Sequence, residues 1–317
     1  MENKGKKIKL TGKVWAYLGL FAVVLIWGLT PIVSDCKWVS GAYSPGMIVA
    51  LRGLIAAVAV ALINIKKLKN LNRAYFKVAL TSGVFLTAGY IAQTASYLYT
   101  TPAKSSFLEN VNIIVVPIIM YLCTKEKPTW SKVTACAVCF VGMGILALRE
   151  GSEGFLSIGL GDGLAILAGV FYGVNVALTG LYSKELDSSL FVLIQLSLLS
   201  VISFIYAFAV EGAALHTLAV SFKWQSVLCM LGLGLLATAL CWVLRTSCFK
   251  HIPVVAVAVG VSLASVVTGI CSVALGVDEP TWNLFVGGIV IIGSILFAEL
   301  GDALGKKKTR DEENGRA

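Results

Sequence analysis

A bundle of ten transmembrane helices, built as two inverted repeats of five, is the all-α integral membrane fold that the sequence predicts. Three observations predict it: the composition, the recurrence of long apolar segments, and positive charge that alternates from loop to loop. Of 317 residues, 57% are hydrophobic and 14% are charged, against about 45–50% and 25% in a soluble globular domain. Mean hydropathy is +0.85. A soluble enzyme or a nucleic-acid reader is excluded by these values. Seven prolines and 31 glycines also exclude a proline-rich disordered chain.

A spanning helix needs about 20 mostly apolar residues, because the hydrocarbon core is about 30 Å thick and a helix rises about 1.5 Å per residue. Ten segments meet this requirement: 14–34, 44–65, 78–98, 105–123, 133–149, 160–182, 190–210, 223–246, 254–274 and 281–300. The fifth is the shortest. An alternating strand pattern is absent, so helices rather than a barrel satisfy the backbone in lipid. The predicted organisation is a cytoplasmic N-terminus (1–13), a first repeat (14–149), a second repeat (160–300) and a charged cytoplasmic tail (301–317).

Lys and Arg concentrate in the cytoplasmic loops of membrane proteins. With these spans, 21 of the 26 Lys and Arg residues fall on one side, four (Lys37, Lys104, Arg149, Lys223) fall on the other, and Arg52 lies inside a span. Arg245 and Lys250 count toward the basic side in this tally. Both termini are therefore predicted to be cytoplasmic, in a plasma membrane of the bacterial inner-membrane kind. The net charge of +9 reads as topology rather than as a nucleic-acid footprint. The first apolar run is too long for a signal peptide and is read as a retained span. Trp15, Trp38, Trp130, Trp224 and Trp282 fall at span ends, as an interfacial belt requires. Trp27 and Trp242 do not, and need another reason.

The chain repeats itself. Lys125 to Trp130 reads KEKPTW and Val277 to Trp282 reads VDEPTW, 152 residues apart; Pro102 and Pro253 open the fourth and ninth spans, 151 apart. Five spans per half is an odd number, so the second half enters the membrane upside down. Inverted repeats are the architecture of secondary transporters that alternate access by moving one half against the other.

The order of these features resembles the EamA type of the drug/metabolite transporter superfamily. The resemblance rests on Trp27-Gly28 in the first helix, Arg52 in the second, Pro117 late in the fourth and Glu-x-Pro-Thr at Glu126. It continues with Glu279-Pro280-Thr281 leading into a tenth helix bearing Gly287, Gly288 and Gly293. It covers residues 14–300 and implies export or import of small metabolites. Two departures stand out: the fourth helix carries Glu109, Asn110 and Asn112, and the ninth lacks a counterpart of Pro117.

Polar side chains inside a bilayer are costly and face a cavity or one another. Residues i, i+3, i+4 and i+7 share one face of a helix. Such stripes comprise Trp27, Thr30 and Ser34 on the first helix; Tyr90, Gln93, Thr94 and Tyr97 on the third; and Ser105, Glu109 and Asn112 on the fourth. The second half adds Tyr172, Asn175 and Thr179 on the sixth, Gln195 on the seventh, Thr238, Trp242 and Arg245 on the eighth, and Ser262 and Ser265 on the ninth. A central hydrated cavity is predicted. Its substrate or coupling candidates are Glu109, Arg52, Trp27, Tyr90, Gln93, Tyr97, Asn112, Tyr172, Asn175, Gln195 and Trp242. The plain alternative for each is an interhelical hydrogen bond without a ligand.

Arg52, about 12 Å deep by helical rise, needs a partner: Glu109, helix carbonyls or an anionic substrate. Glu109 is the sharpest functional candidate, to carry a coupling proton or to bind a substrate ammonium; its structural alternative is an ion pair with Lys104 or Arg52. The sixth helix places Gly161, Ala165, Gly169, Gly173 and Ala177 four apart, a packing stripe for close helix approach. The eight cysteines and two histidines do not converge on a metal pattern, and no cofactor is expected. Helices five and ten lack a polar stripe and suit a scaffold or a homodimer contact. The functional expectation is a secondary active transporter of small metabolites, with a passive channel or facilitator as the alternative. An integral-membrane enzyme is disfavoured for want of a catalytic constellation.

Overall fold

The computed structural model describes residues 2–126, 130–147, 159–212, 223–277, 279, 281–283, 285–294 and 297. Among them the regular elements are helices and no strand occurs. In chain order they are α1 (Glu2–Asp35), α2 (Pro45–Ile63), α3 (Arg73–Ser96), α4 (Pro102–Leu108), α5 (Asn112–Thr124), α6 (Trp130–Ala147), α7 (Leu160–Tyr182), α8 (Ser188–Ala209), α9 (Trp224–Leu231), α10 (Cys241–Cys248), α11 (Val254–Ala274) and α12 (Phe285–Ser294). Helices α4 and α5 form one span interrupted by a 3-10 turn, Glu109–Val111. Helices α9 and α10 form another, joined by a π-helical stretch, Gly232–Leu240. Among the described residues, eight helices are long and apolar enough to cross a membrane. Shorter apolar helices, Val133–Gly142 within α6 and Phe285–Ser294, stand where the sequence predicts the fifth and tenth spans.

Helix starts follow local chemistry. Pro45 and Pro102 occupy first-turn positions, where the missing N–H costs nothing. Asn72, Thr101 and Asp187 cap α3, α4 and α8 by accepting first-turn amide bonds. The cap of α5 is Lys125, whose φ of 60° closes the helix in the left-handed conformation. Residues 127–129, Asp278, Pro280, the loop 150–158, Glu299 and the tail lie outside the described residues.

Small residues set the helix contacts. A Cβ at Gly173 would stand 2.6 Å from Val115, and one at Gly28 would stand 2.5 Å from Val267. A Cβ at Gly169 would come within 2.5 Å of the Glu109 carbonyl, so α7 runs directly against the 3-10 turn. The packing stripe on α7 thus meets the fourth span. Gly142 does the same for α6, where an added Cβ would stand 2.9 Å from Ile291 of α12. The principal partners are α3 with α7 and α8, α2 with α8 and the π stretch, α1 with α11 and α10, α5 with α7, and α4 with α11. Trp15, Trp130, Trp224 and Trp282 are exposed, whereas Trp242 is buried and Trp27 packs against the inner core.

Two expectations need correction. The fourth and eighth spans are not continuous α-helices: each is rewound at mid-span where a neighbour approaches closely. And Arg245, tallied above with cytoplasmic cations, is 3% exposed inside the bundle, because its helix continues to Cys248.

Candidate functional site

A cavity of about 110 Å³ opens where α1, α2, α3, the fourth span, α7, α10 and α11 converge. One water needs only about 10–15 Å³ measured in this way, so the space suits several waters or one small metabolite. Its lining brings together Trp27, Arg52, Tyr90, Gln93, Glu109, Asn112, Tyr172 and Trp242 from the sequence candidates, and adds Arg245, Asn110, Ser106, Ser265 and Thr268. Tyr97, Asn175 and Gln195 do not line it.

Aromatic rings form one wall. Trp27 and Trp242 have centroids 5.3 Å apart, Tyr90 and Trp242 5.8 Å, and Tyr90 meets Tyr172 edge-on at 5.7 Å. Hydrogen bonds lock the rings in place: the Trp242 indole donates to the Tyr90 hydroxyl, and Trp27 Nε1 donates to the Ala237 carbonyl at 2.7 Å. That carbonyl lies in the π stretch. Trp27 and Trp242, which do not fit an interfacial belt, are cavity residues.

Two guanidinium groups lie against this wall. Arg52 is 2% exposed; its Nε donates to Thr238 Oγ1 at 2.9 Å and its Cζ lies 4.8 Å from the Tyr90 ring. Thr238 Oγ1 in turn donates to the Leu233 carbonyl at 2.7 Å. Arg245 covers Trp242 at 3.9 Å and reaches Phe249 and Trp27 at 5.7 and 5.8 Å. Its Nη2 donates to Asn175 Oδ1 at 3.0 Å, and its Nε is buried without a partner. Cation–π contacts removed from water are worth about 2 kcal/mol, which offsets part of the desolvation of each charge.

The carboxyl of Glu109 stands opposite. Its Oε2 accepts from Gln93 Nε2 at 2.7 Å and its Oε1 from Ser105 Oγ at 3.2 Å, while Gln93 Oε1 accepts from Tyr172 at 2.7 Å. A chain of bonds therefore runs from α7 through α3 to the fourth span. Lys104 is engaged elsewhere, pairing with Asp162 at 2.7 Å, so the ion pair considered for Glu109 with that lysine is not formed. Asn110 donates to Ser265 on α11 at 2.8 Å, and Asn112 Oδ1 is buried without a partner.

Asn175 and Gln195 work behind the wall. Asn175 accepts from Arg245 and donates to the Ser82 carbonyl at 2.9 Å; Gln195 donates to Ser82 Oγ at 2.8 Å and to Thr179 Oγ1 at 3.3 Å. They tie α7 and α8 to α3 and aim Arg245. The residue underrated from sequence is Arg245, although its spacing from Thr238 and Trp242 (i, i+4, i+7) carried the signal.

Comparisons with known proteins point to transporters. The profile of the EamA-like transporter family matches residues 14–148 and 159–300. A protein from Archaeoglobus fulgidus described as an uncharacterized transporter is 26% identical over 290 residues, covering 91% of this chain and 87% of that protein. An uncharacterized solute carrier family 35 member from Schizosaccharomyces pombe is 31% identical over 129 residues, or 39% of this chain and 25% of that one. A solved crystal structure superposes with a TM-score of 0.71 at 16% identity, covering 90% of this chain and 96% of its own. At that identity the likeness extends to the fold alone.

Proposed function

The chain belongs to the EamA-like transporter family, and on that premise we propose that it is a secondary active carrier. Its two halves, five spans each and inverted relative to one another, move about the central cavity to expose a small metabolite to one side and then the other. The ten spans of this reading are the eight long helices together with the two shorter apolar ones. Both termini face the cytoplasm, in accord with the bias of Lys and Arg between loops.

The observation that carries this reading is the pattern of helix partners. Number the spans one to ten, so that α7, α8, the α9–α10 span and α11 are the sixth to ninth. Span three packs on six as eight packs on one; four packs on six as nine packs on one; three packs on seven as eight packs on two. Contacts two–seven and four–nine are their own counterparts. Adding five to every number returns these same contacts, as a two-fold relation between halves requires. Close approaches follow suit: Gly28, after Trp27, meets Val267 on the ninth span, and Gly173, after Tyr172, meets Val115 on the fourth. Such pseudo-symmetry around a mid-membrane cavity is the working arrangement of alternating-access carriers.

Three measurements test the reading. Cysteine accessibility should find residues 66–74 and 125–130 on the cytoplasmic side and 276–281 on the opposite side. Both PTW motifs on one side would remove the inversion and the mechanism with it. In proteoliposomes loaded with a substrate found by thermal-shift screening, an outward gradient should drive counterflow of labelled substrate; flux without counterflow would indicate a passive facilitator. Glu109→Gln separates coupling from recognition. A coupling carboxyl loses pH-driven accumulation and keeps exchange, whereas a substrate-binding one loses both.

A further inference from the structure

The cavity carries two guanidinium groups and one carboxyl group among its lining residues, and the bonding of each group bears on what can bind there. We propose that the cavity binds an organic oxyanion, a carboxylate or a phosphate, received by the guanidinium groups of Arg52 and Arg245. This rests on reading the cavity as the substrate site of a carrier.

Three observations carry it. Three of the four cavity rings already have a guanidinium close by: Arg52 lies 4.8 Å from the Tyr90 centroid, and Arg245 lies 3.9 Å from that of Trp242 and 5.8 Å from that of Trp27. An aromatic box with these faces vacant would receive an ammonium group; with guanidinium groups beside them, a second cation meets repulsion. Each Glu109 oxygen already accepts one hydrogen bond, from Gln93 or from Ser105. The donor capacity of Arg245 is less used. Arg245 is 3% exposed and uses Nη2 on Asn175, yet its Nε is buried without a partner. A buried charged donor is costly until an acceptor reaches it.

Charge leads to the same class of ligand. Two cations are held around one ring pair, whose centroids are 5.8 Å apart, and they raise the local potential in a low-dielectric space; an anion between them lowers it. The planar guanidinium fork matches the paired oxygens of a carboxylate or phosphate, which a lysine does not. Val257, Val261 and the aromatic edges leave room for an apolar body.

The test uses the full-length protein in lipid nanodiscs with four probes sharing one ring: benzoate, phenyl phosphate, benzamide and benzylamine. Benzoate, phenyl phosphate or both should raise the unfolding temperature and bind saturably in calorimetry, with benzamide and benzylamine silent. Which anion binds tells carboxylate from phosphate recognition. Arg245→Gln should weaken oxyanion binding by about ten- to a hundredfold. Arg245→Lys keeps the charge and loses the fork, so it should also bind several-fold more weakly; it carries the test if the Gln variant does not fold. Stabilisation by benzylamine alone, or binding by none of the four probes, would overturn the proposal. Counterflow of a neutral or cationic solute with both anions inert would sink the oxyanion reading and leave the carrier standing. Oxyanion binding without any counterflow would do the reverse.

Discussion

Tyr90 on α3 and Trp242 on α10 meet ring to ring, 152 residues apart in the chain. One turn beyond each stands a polar residue, and there the two regions part. Gln93 is neutral and bridges Tyr172 to Glu109, whereas Arg245 is charged and holds Asn175. The interval is the one that separates the two PTW motifs. The glycines show likeness instead, with Gly28 and Gly173 in equivalent contacts against Val267 and Val115. Scaffold positions are thus alike in the two regions while the positions facing the cavity differ. Packing holds the halves in register, and chemistry is supplied where they depart from each other.

The largest expected effect probes the shared part. Gly28→Leu and Gly173→Leu each force a side chain into a valine at under 3 Å. Overpacking of this kind costs about 1–3 kcal/mol and sometimes more, and a rigid helix contact belongs at the upper end. Both variants should lose folded, monodisperse protein on size-exclusion chromatography to the same extent. If one were tolerated, the two contacts would not be equivalents.

The next effect probes the charged side. Thr238→Val deprives the Arg52 Nε of its acceptor and should lower stability by about 1–3 kcal/mol, whereas Thr238→Ser should change it by under about 0.5 kcal/mol. Equal effects from the two would mean that Arg52 is held by the Tyr90 ring and not by the hydroxyl. On the neutral side, Tyr172→Phe removes one bond to Gln93 and should cost about 0.5–1.5 kcal/mol in thermal unfolding. A larger loss there than at Thr238 would reverse the order of the two sides.

The smallest effect lies outside the cavity and serves as its control. Asp187, at the start of α8, is pushed up by burial. Its bonds from Lys67 and from the Leu190 and Ser189 amides outweigh that, so its carboxyl titrates below the ordinary 3.8. A depressed value means that its contribution is present above pH 3.8 and is lost as pH falls through the folded value. Since the pair is partly exposed, Asp187→Asn should cost under about 1 kcal/mol and be weakened by salt. An acid titration at two ionic strengths reads it. A salt-independent loss would place the residue among the buried contacts.

Much of this was legible in the sequence because membrane physics constrains it strongly. Hydropathy found the long helices within a few residues, and four-residue spacing put Trp27, Tyr90, Gln93, Glu109, Tyr172 and Trp242 on faces that now line one cavity. What escaped was decided by contacts between distant segments. The 3-10 turn at Glu109 lies where Gly169, 60 residues away in the chain, approaches it closely. Lys104 chose Asp162 over Glu109 because that carboxylate sits at the start of α7 beside it. Arg245 falls on the polar stripe of the eighth span in the sequence, yet counts with the cytoplasmic cations there because it closes an apolar run. Its burial depends on three more residues of helix and on Asn175, which no local pattern announces.

The π-helical stretch Gly232–Leu240 has a consequence for the phase of its helix. Each α-helical residue turns the chain by about 100°, so a stretch wound more loosely shifts the angular setting of everything after it. Trp242 and Arg245 follow that stretch directly, and their bearing toward the cavity is inherited from it. Rewinding the stretch as ordinary α-helix with every residue kept would swing the indole and the guanidinium round the helix axis, away from Tyr90. Deleting one residue along with the looser winding would largely conserve their bearing. The cavity's charge thus depends on how this stretch is wound as well as on the identities of the residues that follow it.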